Sequence, residues 1–243
     1  MKVADIILNY VYSHDRAFVR SEFISWMSQN YPSISERSID TAIRSLLRSD
    51  LLIRKGYGTM AATEGQNIYI PQVGDDVRNI YKTVKEKYPY TRFCLWQPNI
   101  LSSFMQHVPD VDMIILETEK VAAEAVYEDI RQLEQKRKVF LRPTMREYEL
   151  YAVGESCLIV RDLITESPTI EIDGIPMASL EKILVDAQVL PELEFARGSE
   201  LYTIYENASE MYRINCRAML RYASRRGRKE ETEKLILICL PPG

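Results

Sequence analysis

Residues 35–58 read SERSIDTAIRSLLRSDLLIRKGYG. Within this stretch Ile39, Ala42, Ile43, Leu46 and Leu47 recur at i, i+3, i+4, i+7 and i+8, the spacing of one buried helix face. Arg37, Thr41, Arg44 and Arg48 fall at i, i+4, i+7 and i+11, which lines them up along the opposite side. Ser33 to Ser35 offer caps for the start of this helix. Leu51-Leu52-Ile53-Arg54-Lys55-Gly56-Tyr57-Gly58 then reads as a strand entering a glycine-containing turn. Ile68-Tyr69-Ile70 reads as its return strand.

Toward the N-terminus, Val3, Ile6, Ile7, Tyr10 and Val11 mark an amphipathic helix over residues 2–12. A second helix is predicted over residues 21–30, with Ser21 as cap and Phe23, Ile24 and Met27 as its stripe. Tyr31-Pro32 stops it, because the residue before proline avoids helical angles. Three helices followed by a β-hairpin is the order of a winged helix-turn-helix domain, expected over residues 1–72. In that fold the third helix enters the major groove and the wing touches the backbone or minor groove. The candidate DNA-binding residues are therefore Arg37, Thr41, Arg44 and Arg48 on the helix, with Arg54, Lys55 and Tyr57 on the wing. A solvated helix face, or a protein-docking module of the same fold, would look similar.

Toward the C-terminus, Pro71 to Asp76 mixes turn formers with charge and marks a boundary. A linker helix is predicted within residues 73–90. From residue 91 to 243 strands and helices alternate. Strands are predicted at Thr91–Trp96, Met113–Leu116, Val139–Leu141 and Cys157–Val160. Helices are predicted at Asn99–His107, Lys120–Arg137 and Ser179–Val189, with two or three more closing the chain. The whole is a mixed, α+β chain: a winged helix, then an α/β domain with C-terminal helices.

Charge is unevenly spread. The chain of 243 residues has a formal net charge of −4, from 31 Lys+Arg and 35 Asp+Glu, which argues against nucleic acid only if read as one sum. Residues 1–70 hold 8 basic and 7 acidic side chains, residues 71–212 hold 15 and 25, and residues 213–234 hold 8 and 3. The acidic middle thus conceals a near-neutral first domain and a basic tail. A hydrophobic content of 46% with 9 Gly and 11 Pro excludes a disordered or low-complexity chain. No apolar run is long enough to span a bilayer, and the N-terminus lacks a signal-peptide pattern. The four cysteines have no metal-ligand spacing and read as reduced, buried thiols of a cytoplasmic protein. No cofactor is expected.

In the basic tail Arg213, Arg217, Arg221 and Arg225 recur every four residues, with Arg226 and Arg228 following. This predicts one inclined Arg stripe, a surface for a partner or an anion. Glu200, Glu206 and Glu210 on the preceding helix are its alternative, intramolecular partners.

No catalytic residue is expected. Neither His14 nor His107 lies in a triad context, and there is no glycine-rich phosphate loop. The one acidic pair, Asp110 and Asp112, puts two carboxylates on one face at a strand entry, which suits a magnesium ion. It resembles the Asp-x-Asp of nucleotidyltransferases, with Ser102-Ser103 before it. However, Leu101 stands where that family has glycine, and only Asp162 or Glu171 offers a third carboxylate.

The chain as a whole resembles the AbiEi-type antitoxins of bacterial type IV toxin–antitoxin systems. The resemblance is carried by Ser49 to Gly56, Val139-Phe140-Leu141-Arg142-Pro143, Ile170 to Pro176, the helix Ser179-Leu180-Glu181-Lys182-Ile183-Leu184-Val185-Asp186, and the run Arg221 to Arg228. It implies a repressor that binds double-stranded DNA at the operator of its own operon. It also implies a distantly nucleotidyltransferase-like C-terminal domain that counteracts a nucleotidyltransferase-type toxin. The alternatives are a magnesium-dependent nucleotidyltransferase using Asp110 and Asp112, and a protein-interaction adaptor that binds no DNA.

Overall fold

The structure is a computed structural model and describes residues 3–14, 17–48, 51–56, 58–62, 68–106 and 112–240. It is a mixed α+β protein of two compact units, residues 1–66 and 67–243. The boundary falls before the predicted linker.

In the first unit the order is α1 (Val3–Ser13), β1 (Ala17–Val19), α2 (Arg20–Asn30), α3 (Glu36–Arg48), β2 (Leu52–Gly56) and β3 (Thr59–Ala62). The strands form one antiparallel sheet in the order β1-β3-β2. Strand β1 was not expected, since three residues are too few to show alternation. It pairs Ala17 with Ala61 and Val19 with Thr59. The expected return strand at Ile68–Ile70 is replaced by Thr59–Ala62, which follows directly after Gly58 at φ 77°. Ser35, one of the predicted caps, accepts a hydrogen bond on Oγ from the Ser38 amide at 3.2 Å. Ser21 lies inside α2, which has Val19 at its cap position. The stripe positions Ile39, Ile43 and Leu46 join Ile7, Phe23 and Met27 in the core of this unit.

The second unit is built on a six-stranded sheet in the order β6-β7-β5-β4-β9-β8. Its strands are β4 (Phe93–Trp96), β5 (Met113–Thr118), β6 (Lys138–Leu141), β7 (Cys157–Asp162), β8 (Thr169–Ile172) and β9 (Ile175–Ala178). Strands β5, β6 and β7 are parallel, while β4 runs antiparallel to β5. Parallel strands need cover on both faces, and their apolar runs supply it by alternation. Phe93, Leu95, Ile114, Leu116, Leu158 and Val160 face α4 (Asp75–Lys87) and α5 (Ala123–Leu133). Cys94, Trp96, Met113, Ile115, Cys157 and Ile159 face the other layer. That layer holds α6 (Met145–Tyr151), α7 (Leu180–Asp186), α8 (Ser199–Met211), α9 (Cys216–Arg225) and α10 (Lys229–Cys239). Helix α4, expected as a linker, buries Val77, Ile80 and Val84 within this unit.

Two expectations change in detail, and one hairpin, β8–β9, was not expected. The helix predicted over Lys120–Arg137 is shorter. The segment predicted as a helix over Asn99–His107 is a 3-10 helix over Pro98–Phe104, with His107 outside the described residues. The hairpin β8–β9 turns on Asp173-Gly174 at φ 51° and 80°, the two positive angles that a tight two-residue hairpin turn needs. Among the described residues no helix is long and apolar enough to cross a membrane.

Helix α6 starts from a capping box. The Thr144 hydroxyl accepts from the Glu147 amide, and the Glu147 carboxylate accepts from the Thr144 amide at 2.8 Å. Thr144→Ala is expected to lower the stability of this unit by about 1 kcal/mol in urea unfolding. An unchanged midpoint would mean that the cap is dispensable.

Candidate nucleic-acid interface

Helix α3 has 13 residues and is roughly 20 Å long. Its apolar side is committed to the core, so its other side faces solvent. Arg37, Thr41, Arg44 and Arg48 are all exposed there, as the spacing predicts. The two acidic residues of the helix, Glu36 and Asp40, are both engaged by one cation from the start of α2. Arg20 donates from Nε and Nη2 to Asp40 Oδ1 at 3.0 and 2.7 Å, and from Nη2 to Glu36 Oε1 at 3.0 Å. Asp40 holds the Arg20 guanidinium above the ordinary arginine value, with burial opposing and Glu36 adding to it.

The consequence is a local charge much larger than the near-zero sum of the unit. With its carboxylates neutralised, α3 presents Arg37, Arg44 and Arg48, which have no acidic partner among the described residues. Arg54, exposed on β2, is likewise unpaired. In the second unit Arg78, Arg92, Arg131, Arg137, Arg142 and Arg161 are all in ion pairs. Unpaired guanidinium groups clustered on one helix are what phosphate recognition needs, because each retains its donors for a bidentate contact. Lys55 is exposed beside Arg54, and Tyr57 lies outside the described residues. The Thr41 hydroxyl, exposed on the same face, donates to the Arg37 carbonyl at 2.8 Å.

In the second unit the segment Ser179–Asp186 is interior except at Ser179 and Glu181. Lys182 is fully buried, donates to Glu117 Oε1 at 2.5 Å, and is hydrogen-bonded to Asp186 one helical turn on. Trp96 and Tyr222 place their rings 5.2 and 5.5 Å from its ammonium. The Tyr222 hydroxyl donates to Asp186 Oδ1, and Arg226 Nε lies 2.9 Å from the same oxygen. Burial alone would lower the Lys182 ammonium, but Asp186 and Glu117 outweigh it and hold the group well above the ordinary lysine value. Two carboxylates and two cations make the cluster internally neutral. Sequence reasoning missed it, although a Lys and an Asp at i, i+4 within an apolar helix were its visible trace.

Residues 38–240 match the family described as Family of unknown function (DUF6577), and residues 3–55 match one described as Domain of unknown function (DUF7669). The chain belongs to DUF6577. No curated protein matches it. The DUF6577 match begins inside α3, so it takes in Thr41, Arg44, Arg48, Arg54 and Lys55 but leaves out Arg37.

Elsewhere in this DUF6577 chain the predicted Arg stripe is broken up. Arg213 precedes α9 and lies off its helical face. Arg226 turns inward onto Asp186, because the helix ends there and Gly227 takes φ 66°. Arg217, Arg221 and Arg225 remain exposed on α9. Arg221 and Arg225 meet not α8 but Glu166, which contacts Arg225 at 2.5 Å and Arg221 at 3.7 Å. Arg228 pairs with Glu231 on α10.

Among the described residues no cluster of His, Cys, Asp or Glu could hold a metal ion. Asp110 lies outside them. Asp112 accepts from the Ser156 hydroxyl at 2.5 Å and lies 3.4 Å from Arg137. Asp162 is at the far end of the neighbouring parallel strand, paired with Arg142, and Glu171 is on the edge strand β8.

Proposed function

We propose that the first unit is a winged helix-turn-helix domain that binds double-stranded DNA, with α3 in the major groove and the β2–β3 hairpin as the wing. The order α1-β1-α2-α3-β2-β3 and the sheet order β1-β3-β2 fit this reading. The observation that carries it is the exposed α3 face, whose three arginines are unpaired while its two carboxylates are held by Arg20. Arg37, Arg44 and Arg48 supply phosphate or base-edge donors, and Arg54 and Lys55 reach the backbone from the wing.

The protein then acts as a transcriptional regulator of its own operon, and the resemblance to AbiEi-type antitoxins extends this to counteraction of a nucleotidyltransferase-type toxin by the second unit. The part of that resemblance in Ser179–Asp186 concerns mostly buried residues, so it speaks for a shared core. A toxin would be met on the surface, and α9 with Arg217, Arg221 and Arg225 is the cationic part of that surface.

A gel-shift assay with the DNA upstream of the gene, against a shuffled fragment of the same length, tests the reading. Retardation of the upstream fragment at lower protein concentration is expected, with affinity falling steeply as salt is raised. Equal retardation of both fragments would leave only non-specific binding, and none at low salt would end the proposal.

A further inference from the structure

Arg20 is the first residue of α2, and both its backbone and its side chain are committed. Its amide donates to the Gly58 carbonyl at 2.8 Å, which ties its backbone to the turn of the β2–β3 hairpin. Its guanidinium donates twice to Asp40 and once to Glu36, both on α3. One residue therefore joins the two elements assigned to DNA.

The positions on α3 show what these bonds prevent. Asp40 comes three residues after Arg37 and four before Arg44, so on a helix it neighbours both. An acid four places before a base is the favourable order for a pair within one helix. Yet Asp40 is turned to Arg20, and Arg37 and Arg44 have no acidic partner among the described residues. Glu36 and Asp40 are the only acids on α3. The other flank of the helix carries none: there Ser38, Thr41 and Ser45 line a groove with Val3 and Ala4 of α1. Every carboxylate that could reach the arginines from within the helix is thus held by one guanidinium.

We propose that Arg20 is a positioning residue for DNA binding, which touches no DNA itself but keeps Asp40 and Glu36 off Arg37, Arg44 and the approaching phosphates. The inference rests on the DNA reading above. Without Arg20, Asp40 turns to Arg44 or Arg37 and takes donors that a phosphate would use. Two uncompensated carboxylates then also face the DNA backbone. Both effects oppose binding, since like charges brought together across an interface cost affinity.

Fluorescence anisotropy with the labelled upstream fragment tests it on four full-length proteins. These are the wild type, Arg20→Met, the pair Glu36→Gln with Asp40→Asn, and all three changes together. Arg20→Met is expected to bind about tenfold more weakly than the wild type. The Glu36→Gln, Asp40→Asn pair is expected to bind at least as tightly as the wild type. The triple variant is expected to return to within about threefold of the wild type, because the acids that Arg20 restrains are gone. A lost phosphate contact, or a disturbed fold, would not be rescued in this way. Thermal unfolding of each protein shows that it is folded at the assay temperature. If Arg20→Met alone is unfolded, the comparison of the triple variant with the acid-free pair decides: affinities within about threefold support the proposal, and a gap of about tenfold overturns it. Wild-type affinity in Arg20→Met overturns it, as does a loss that persists in the triple variant. No binding by the wild type ends the DNA reading and this inference with it, whereas the other failures leave that reading standing.

Discussion

Lys182→Met is expected to destabilise the second unit by about 3–5 kcal/mol, a large share of what a domain of this size possesses. Among the described residues Lys182 is the only cation paired with Glu117, and its removal leaves Glu117 and Asp186 buried against Arg226 alone. Neither carboxylate can reach water, because both are almost fully enclosed between β5, α7 and α9. The size of the effect comes from the uncompensated charge, since methionine fills most of the volume of the lost side chain. A double variant separates the two causes. Adding Glu117→Gln to Lys182→Met removes one charge of each sign, so the pair is expected to be more stable than Lys182→Met alone. Equilibrium urea unfolding measures both. A cost below about 1 kcal/mol for Lys182→Met, or a double variant no better than the single, would show that the cluster is not ionised as described.

The second large effect is on DNA. Replacing Arg37, Arg44 and Arg48 together with Ala is expected to weaken binding to the upstream fragment on the order of a hundredfold or more, since each such arginine contributes about 1–3 kcal/mol. Folding should be unaffected, because the three side chains are exposed and have no partner to lose among the described residues. The dependence of affinity on salt separates their roles. If all three meet phosphates, the slope of log affinity against log salt is expected to shrink by about 3. If one reads a base, the slope shrinks less and discrimination against the shuffled fragment is lost as well. Fluorescence anisotropy with labelled DNA gives both quantities. Wild-type affinity in the triple variant would remove α3 from the interface.

Periodicity was a sufficient guide wherever an element has one apolar side or is wholly apolar. Helix α3 shows this, with Ile39, Ile43 and Leu46 inward and its arginines outward. The apolar runs Met113–Leu116 and Cys157–Val160 show it too, each fully buried at the start of its strand. Among the short strands β4 and β6 were legible as apolar runs, whereas β1 is too short to alternate and β8 interrupts its apolar positions with Glu171. The Asp173-Gly174 turn carried the local signal, but its strands did not. Charge was harder still. A tally of Lys and Arg could not separate Arg226, which is interior and tied to Asp186, from Arg225, which is exposed. Nor could it reveal that Arg20 silences the acids of α3. Which charges are free depends on partners distant in sequence, and composition does not contain that pairing.

All four cysteines, Cys94, Cys157, Cys216 and Cys239, belong to the second unit, and none is in a disulfide. Burial raises each thiol above its ordinary value, and pushes Cys157 up to about 12. At neutral pH the buried thiols of Cys94, Cys157 and Cys239 react with alkylating reagents only when the surrounding structure opens, since the thiolate is the reactive form, whereas Cys216 is half-buried. Pulsed alkylation read by mass spectrometry therefore times the opening of one unit while the other remains silent. Cys239 near the end of α10 should be modified ahead of Cys94 in the middle of the sheet, which would rank the loosening of the helical layer against that of the strands.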